Sequence, residues 1–341
     1  MRALLRIVVL AGVAVLLTAS PAAADPAKPG QYKSTISSIE PVPAGVKVEV
    51  IGGDSFLQVT VDRGHEVVVY TQGAPDVAHG EAFLRIRVDG VVEENMQSPY
   101  TYSIQTRYGT VPPQNLNPSG PPQWSQVATG GVYAWHDHRI HWMSPTKKPG
   151  LKPGDIVQTW TVPLDVDGKA VTVAGSLVLA DPISPVPWFG LALVIAGVAV
   201  FAGRGKSTLV ASLAVLIASA GAVYVGLAGY DAAPERAGGS RLEYLLPAVA
   251  LVAALVAVVL HRKPWGVIAT LLSVACLGGW AIQRIAVLFE PVLPTNISYN
   301  TDRAGTAIAI GAGVAAAVLA VRSGGLVPHF ADLVDDDDEP P

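Results

Sequence analysis

Residues 46–61 read VKVEVIGGDSFLQVTV, two runs rich in valine and isoleucine on either side of a Gly-Gly-Asp-Ser sequence. Short runs of β-branched residues between turn signals are typical of β-strands. The stretch therefore predicts strands at Val46–Ile51 and Phe56–Val61. It sets the pattern for the first half of the chain.

The same pattern recurs up to about residue 185. Four more runs have strand composition: 66–71, 82–88, 156–162 and 170–179. Asp89-Gly90 and Asp167-Gly168 predict tight hairpin turns, and residues 98–124, rich in proline, predict a long loop. No amphipathic helix is evident, so we predict an all-β, immunoglobulin-like sandwich over residues 25–185, with a small barrel as the alternative.

The second half of the chain has a different composition. Of the 341 residues 50% are hydrophobic and 15% charged, and most apolar residues follow residue 185. Five apolar segments approach or reach the length of a membrane span. They lie at 188–203, 208–229, 243–260, 265–288 and 304–321. The prediction is a mixed fold, in which the β-sandwich precedes an α-helical transmembrane bundle of five helices at residues 186–322.

The N-terminus has the features of a secretory signal peptide at residues 1–24. Arg2 and Arg6 precede an apolar run, and a small-residue cleavage site ends at Ala24. Cleavage there would export residues 25–185, and an uncleaved anchor is the alternative. The acidic residues 323–341 predict a disordered tail.

Charge at the ends of the spans predicts the orientation. An exported β-domain and five spans place the C-terminus in the cytoplasm. The loops predicted inside then carry Arg204, Lys206, Arg262, Lys263 and Arg322, as the positive-inside rule expects. We therefore expect a multi-pass protein of the cell membrane with an extracytoplasmic N-terminal domain.

Residues 133–143, YAWHDHRIHWM, hold three of the seven histidines. In an extended strand His136 and His138 would share one face, a favourable spacing for chelating a metal ion. A bend near Arg139 would bring His141 to the same ion, and Met143 would add a thioether suited to Cu(I). Copper or zinc is the expected metal, with His65 and His79 as distant contributors.

A structural polar network is the alternative interpretation of this cluster. Asp137 and Arg139 would form an ion pair, Trp135 and Trp142 would pack on the core, and the imidazoles would bond backbone groups. A pH-sensing role without metal is a third possibility. The only cysteine, Cys276, lies in an apolar segment, which excludes blue-copper and zinc-ribbon sites from the exported part.

Several other functions are disfavoured by the sequence. A net charge of −4 without a basic run argues against nucleic-acid binding. Gly205-Lys206 lacks the P-loop glycine five residues earlier, where Val200 stands, so no nucleotide site is expected. His136-x-His138-x-x-His141 looks like part of a metallo-hydrolase signature, but Ile140 occupies its aspartate position. The spans are almost without ionisable residues, which argues against transport.

Arg284 is the exception, near the outer end of the fourth span. We expect its side chain to snorkel to the interface or to pair with an outer-loop carboxylate.

The combination of a signal peptide, a β-domain with the run at 135–143 and C-terminal spans resembles a family of uncharacterised actinobacterial membrane proteins. The resemblance covers most of the chain and implies architecture and compartment, without an activity. A looser similarity exists to bacterial copper-resistance systems, which pair an exported metal-binding β-sandwich with membrane helices. This chain departs from them at its expected mature N-terminus, Asp25, where a ligating histidine would stand, and in spans without His or Met.

Two functions remain open from the sequence. The first is a non-enzymatic membrane protein that binds copper or zinc in envelope metal handling. The second is an interaction or scaffolding protein for envelope partners, in which the histidine cluster is structural and holds no metal.

Overall fold

The computed structural model describes residues 26–72, 80–107, 109–144, 146, 148–205, 207–234 and 239–322. The predicted signal peptide, the acidic tail and His79 lie outside these residues. A β-rich region comes first and apolar helices follow, as the sequence predicts.

The described residues form ten strands in two antiparallel sheets. The strands are β1 Tyr32–Glu40, β2 Val46–Ile51, β3 Phe56–Val61, β4 Val67–Tyr70, β5 Ala82–Ile86, β6 Val92–Asn95, β7 Trp124–Ala128, β8 Val132–Trp135, β9 Ile156–Val166 and β10 Lys169–Leu179. One sheet has the order β1-β10-β9-β4-β5-β6-β7, and the other has the order β2-β3-β8. A short helix, α1, spans Pro99–Ser103.

The two sheets enclose one hydrophobic core, because alternate residues of each strand point inward. Val59 of the small sheet and Leu84 and Val162 of the large sheet are buried in the same cluster. Full burial of each such aliphatic side chain stabilises the fold by about 1.5–3 kcal/mol.

The predicted strands agree closely with the observed ones. β2 and β3 have the predicted bounds, and β9 continues four residues beyond the predicted end, to Val166. The Asp167-Gly168 turn is confirmed, with φ angles of +52° and +78° that the hairpin requires. Four strands, β1, β6, β7 and β8, are additional to the six predicted runs.

The arrangement of the sheets differs from the simplest immunoglobulin pattern. A constant-type immunoglobulin domain divides seven strands into four and three. Here the described strands divide into seven and three. The two-sheet prediction is therefore confirmed at the level of a β-rich domain, and the immunoglobulin-like topology is not.

Five apolar helices follow the β-domain in the described residues. They are α2 Val186–Ala202, α3 Ser207–Asp231, α4 Leu242–Val259, α5 Pro264–Gln283 and α6 Tyr299–Arg322. Helices α3 to α6 are long and apolar enough to cross a membrane. Helix α2 has 17 residues, a length of about 25 Å at 1.5 Å per residue, against about 30 Å for a bilayer core. Four helices of spanning length are thus found, and the fifth predicted span is not confirmed.

Close contacts show how the helices run. Gly226, late in α3, lies against the backbone of Glu243 at the start of α4, so these two helices are antiparallel. Gly203 and Leu319 meet at the ends of α2 and α6, which are parallel. Small residues at these contacts let the backbones approach closely.

The β-domain contacts the bundle directly. Gly30 forms an antiparallel bridge with Val292, in the segment between α5 and α6, through hydrogen bonds of 3.0 and 3.1 Å. Gly53, in the β2–β3 turn, also lies against the Val292 side chain. The chain just before β1 therefore lies between the β-domain and the helices.

Candidate functional site

The histidine cluster begins where strand β8 ends. Trp135 is the last strand residue and pairs with Leu57 of β3. The chain then turns, because the amide of Ile140 donates to the carbonyl of Asp137 at 3.1 Å. The Asp137 side chain holds the same turn by accepting the amide of Arg139 at 3.0 Å. The backbone after Trp135 is therefore not an extended strand through Trp142, and it turns near Arg139, as the metal hypothesis requires for His141 to join.

The carboxylate of Asp137 is the centre of this turn. It is fully buried and accepts hydrogen bonds from Trp135 Nε1 at 2.8 Å and from the Tyr100 hydroxyl at 3.1 Å. The Arg139 guanidinium reaches both carboxylate oxygens, with Nε at 2.7 Å. Arg139 also donates to the carbonyl of Tyr70 at 2.9 Å. The predicted ion pair between Asp137 and Arg139 is present, inside the core.

Electrostatics keep this pair ionised. Burial acts to raise the pKa of Asp137, but the charge and the hydrogen bonds of Arg139 outweigh burial and hold the pKa below its usual range. Burial acts to lower the pKa of Arg139, and Asp137 more than reverses that effect. Burial, followed by the negative charge of Asp137, raises the pKa of Tyr100, which stays a neutral hydrogen-bond donor.

Each of the three imidazoles is tied to a backbone carbonyl. His136 Nδ1 lies 2.9 Å from the Ser55 carbonyl, and its ring lies 4.2 Å from the Phe56 ring, centroid to centroid. His138 Nε2 lies 3.4 Å from the carbonyl of Thr106, and His141 Nε2 lies 3.2 Å from the carbonyl of Arg107. The turn is thereby fastened to the β2–β3 turn and to the segment that follows α1.

The bend brings His138 and His141 together. Their ring centroids are 5.4 Å apart. His141 is buried, and its Nδ1 has no hydrogen-bond partner among the described residues. Burial, the charge of Arg107 and nearby imidazoles lower the pKa of His141 to about 3, so its ring is neutral at physiological pH.

A site with three or more ligands is not found. Within the described ranges, no group of three His, Cys, Asp or Glu side chains is placed to hold a metal ion. Met143 is 40% exposed, and Trp142 donates from Nε1 to the Thr146 carbonyl at 2.7 Å. His65 lies elsewhere, with Nδ1 2.7 Å from a carboxylate oxygen of Asp167. Copper or zinc binding stays a prediction.

Sequence reasoning missed two residues next to the cluster, Arg107 and Asp54. Arg107 forms a bidentate ion pair with Asp54, at 2.8 and 3.2 Å. Asp54 lies in the β2–β3 turn beside Ser55, which accepts from His136. The residues are 53 positions apart in the chain, and no local pattern connects them.

A second buried polar contact lies between the sheets. The Tyr133 hydroxyl donates to the carboxylate of Glu94 on β6, and both residues are buried. This contact links β8 of the small sheet to the large sheet. The hydrophobic interior of the β-domain therefore holds a second buried polar contact besides the predicted cluster.

No protein-family model, curated protein or solved structure matches the chain. What the molecule itself defines is a β-rich domain joined to apolar helices with the length and composition of membrane spans.

Proposed function

We propose that this is a non-enzymatic, multi-pass membrane protein whose extracytoplasmic β-domain is an interaction module for other proteins of the cell envelope. The proposal includes five spans, with α2 as the shortest, and a cytoplasmic C-terminus. The charges support this orientation: Arg204, Arg262 and Lys263 lie in the loops at the end of the bundle away from the β-domain.

The buried chemistry of the cluster supports a structural role for it. Asp137 and Arg139 form their hydrogen bonds within the domain, and each of the three imidazoles contacts a backbone carbonyl of a different residue. Such a network fixes the turn and the two segments bonded to it. The surface available to a partner must then be sought elsewhere on the domain.

The observation that carries the proposal is the exposed segment 110–123. Val111 is 93% exposed, and most of the residues that follow, including two Pro-Pro pairs, are exposed as well. Both ends of the segment are held by hydrogen bonds. The Thr110 hydroxyl donates to the Tyr102 carbonyl at 2.7 Å, and the backbone amide of Gln123 donates to Asn95 Oδ1 at 2.9 Å. Proline lowers the conformational entropy lost on binding, which suits a segment that docks on a partner.

Site-specific photo-crosslinking in cells tests this surface. A photoreactive residue would replace Val111 in the full chain, and Val42, 85% exposed between β1 and β2, provides the matched control. We expect discrete protein adducts from position 111 and none from position 42. Equal labelling at both positions, or labelling at neither, would contradict the proposal.

A second function, metal binding, is favoured by one observation. His141 Nδ1 is buried and has no hydrogen-bond partner in the part of the chain that the structure describes, and the centroids of the His141 and His138 rings are 5.4 Å apart. Two imidazoles that share a tetrahedral ion at about 2.0–2.1 Å place their centroids about 5 Å apart. In both rings the other nitrogen contacts a backbone carbonyl, the arrangement that commonly orients metal-binding histidines. We propose these two as the ligands of the second function, in place of the predicted pair His136 and His138.

Metal titration of the purified full chain tests this second function. Cu(I) and Zn(II) would be titrated against His138→Gln and His141→Gln, with His65→Gln as the matched control and circular dichroism as the folding check. Binding of one ion at micromolar affinity or tighter, lost in the first two variants and kept in the control, supports it. Weaker binding, or binding unaffected by either substitution, rejects it.

A further inference from the structure

The turn at residues 152–155 lies at the end of the β-domain that faces the bundle. Its shape is held by Asp155, whose carboxylate accepts the amide of Lys152 at 2.7 Å and whose amide donates to the Lys152 carbonyl at 3.0 Å. Two more hydrogen bonds join the turn to the end of β10. Gly154 donates to the Leu179 carbonyl at 2.8 Å, and Leu179 donates to the Asp155 carbonyl at 3.1 Å. The turn is therefore a fixed part of the large sheet.

The strand register places this turn close to the level of the bundle. Leu179 lies opposite Tyr32 of β1, and Tyr32 follows Gly30, which bridges to Val292 between α5 and α6. At about 3.3 Å per residue, roughly 7 Å of strand separates the level of the turn from that bridge. All residues at 152–156 are exposed, so the helices do not cover them.

Exposed apolar and basic side chains meet beside the turn. Ile156, the first residue of β9, is 57% exposed. It pairs with Val178, and Val178 pairs with Lys33, so the three side chains form one row on the same face of the sheet. Val178 is half-buried and Lys33 is exposed. We call this row, together with Lys152, the basal surface.

More charged groups surround the basal surface. Lys148 Nζ donates to the carbonyl of Val157 at 3.1 Å, which holds the ammonium group beside the start of β9. The acids nearby are Asp155, whose carboxylate accepts a backbone amide, and the exposed Asp181. With the lysine of the row and Lys152, three lysines lie beside two carboxylates. Lysines next to exposed apolar side chains are typical of protein surfaces that contact a bilayer.

We propose that the basal surface lies on the bilayer that holds the protein's own helices. Lys33 and Lys152 bind the phosphates of anionic phospholipids there, and Ile156 lies at the boundary between headgroups and acyl chains. A bilayer suits this position better than a partner protein, because α2 begins only seven residues after Leu179. The contact fixes the orientation of the β-domain relative to the membrane.

The basal surface does not depend on the proposed partner segment at residues 110–123. It does depend on membrane insertion of α3 to α6, which the proposed function includes and which their length and composition support. The experiment therefore reports on insertion and on the basal surface separately.

Fluorescence quenching in the full chain tests the position of the basal surface. Cys276 would be replaced by alanine, and Pro153→Cys, Val88→Cys or Val252→Cys would carry an environment-sensitive fluorophore. Each protein would be reconstituted in nanodiscs of phosphatidylcholine, or of equal parts phosphatidylcholine and phosphatidylglycerol. Quenching lipids would carry a nitroxide either at the headgroup or deep in the acyl chain. Circular dichroism checks the fold of every variant.

Val88 is the matched control for Pro153, since both are exposed turn residues. It follows β5, whose end pairs with β4, and β4 pairs with the last residues of β9. Because β9 has 11 residues and begins at Ile156, that end of the domain is about 33 Å from the basal surface at 3.3 Å per residue. Val252, 56% exposed in the middle of α4, reports on insertion of the bundle.

We expect the headgroup nitroxide to quench the label at position 153 and to leave the label at position 88 unchanged. Quenching at 153 should increase with phosphatidylglycerol, because each lysine near an anionic surface favours contact about fivefold. The double variant Lys33→Gln, Lys152→Gln should remove that increase. The control pair Lys47→Gln, Lys169→Gln, far from the base, should keep it. Ile156→Ser should weaken quenching in both lipids, because apolar contact does not depend on lipid charge.

Equal quenching at positions 153 and 88 would overturn the proposal, and so would an increase with phosphatidylglycerol that survives the loss of Lys33 and Lys152. Quenching at position 252 by the deep nitroxide without quenching at 153 would reject the basal surface alone. No quenching at 252 would reject the membrane spans, and with them both this surface and the proposed function. A label at 153 that is shielded from water but not quenched by lipid would indicate a protein contact and would contradict the proposal.

Discussion

Arg284 and Asp302 form a two-point ion pair in which one guanidinium nitrogen lies 2.7 and 2.8 Å from the two carboxylate oxygens. Asp302 is completely buried at the start of α6, and Arg284 follows the end of α5. Arg284 also donates to Glu243 at the start of α4, at 2.8 Å. Three helices are therefore joined at the end of the bundle next to the β-domain, and the expected pairing of Arg284 with a carboxylate is confirmed.

Arg284→Gln should strongly destabilise the bundle. The substitution leaves the buried Asp302 carboxylate without its counter-charge, a change that costs about 3–5 kcal/mol in buried pairs. Thermal unfolding in detergent, followed by circular dichroism, measures the effect. Arg241→Gln, at an exposed position before α4, is the control, and its unfolding midpoint should be close to that of the unmodified protein. Equal midpoints for the two variants would show that the ion pair does not hold the helices together.

Asp137→Asn should destabilise the β-domain by a similar amount. Arg139 would lose its counter-charge in the core, and Trp135 and Tyr100 would each contact a weaker acceptor. Chemical denaturation of the full chain, followed by tryptophan fluorescence, gives the change in free energy. The double variant Asp137→Asn, Arg139→Met should lower the free energy of unfolding by less than the sum of the losses in the two single variants. Additive losses would contradict the coupling, and Asp89→Asn, in an exposed turn, controls for the loss of a surface charge.

Acid should weaken the β-domain through His141. The pKa of His141 is about 3 in the folded chain and about 6.5 in the unfolded chain. Below pH 6.5 the imidazole therefore binds a proton in the unfolded state and stays neutral in the folded state. His141 therefore lowers the free energy of unfolding by about 1.4 kcal/mol per pH unit as pH falls from about 6 toward 3, and has no such effect at higher pH. Asp137 lowers the free energy of unfolding further only near the lower end of that window, because an unfolded aspartate takes up a proton only below about pH 4, whereas the folded carboxylate, whose pKa is held lower, stays ionised there.

The measurement is denaturation at several pH values with a metal chelator present. The difference in unfolding free energy between the unmodified protein and His141→Gln should shift steadily in favour of the variant as pH falls below 6.5. Parallel curves for the two proteins would mean that His141 is protonated equally in both states.

Local pattern accounts for much of what the sequence predicted. β2 and β3 were predictable because their β-branched residues alternate between a buried and a more exposed face. β1, with the sequence YKSTISSIE, has only one fully buried position and so little apolar signal. The turn after Trp135 depends on contacts of Asp137 with Arg139 and Tyr100, and Tyr100 is 37 positions away. Helix composition predicted the apolar segments, but the crowding between helices arises only in three dimensions.

Because of that crowding, we predict different effects on stability for alanine substitutions at two glycines of α6, Gly311 and Gly313. A Cβ added at Gly311 would lie 2.4 Å from the Ala192 carbonyl oxygen on α2, whereas one added at Gly313 would meet nothing within 4 Å. Gly313→Ala should be neutral or stabilise the protein by up to about 1 kcal/mol, because alanine favours helix. Gly311→Ala should destabilise it by about 1–3 kcal/mol, since two backbones must separate. Thermal unfolding of both variants in the same detergent decides the matter, because helix propensity alone would move both midpoints in the same direction. Only direct contact between α2 and α6 predicts a lower unfolding midpoint for Gly311→Ala together with an unchanged or higher midpoint for Gly313→Ala.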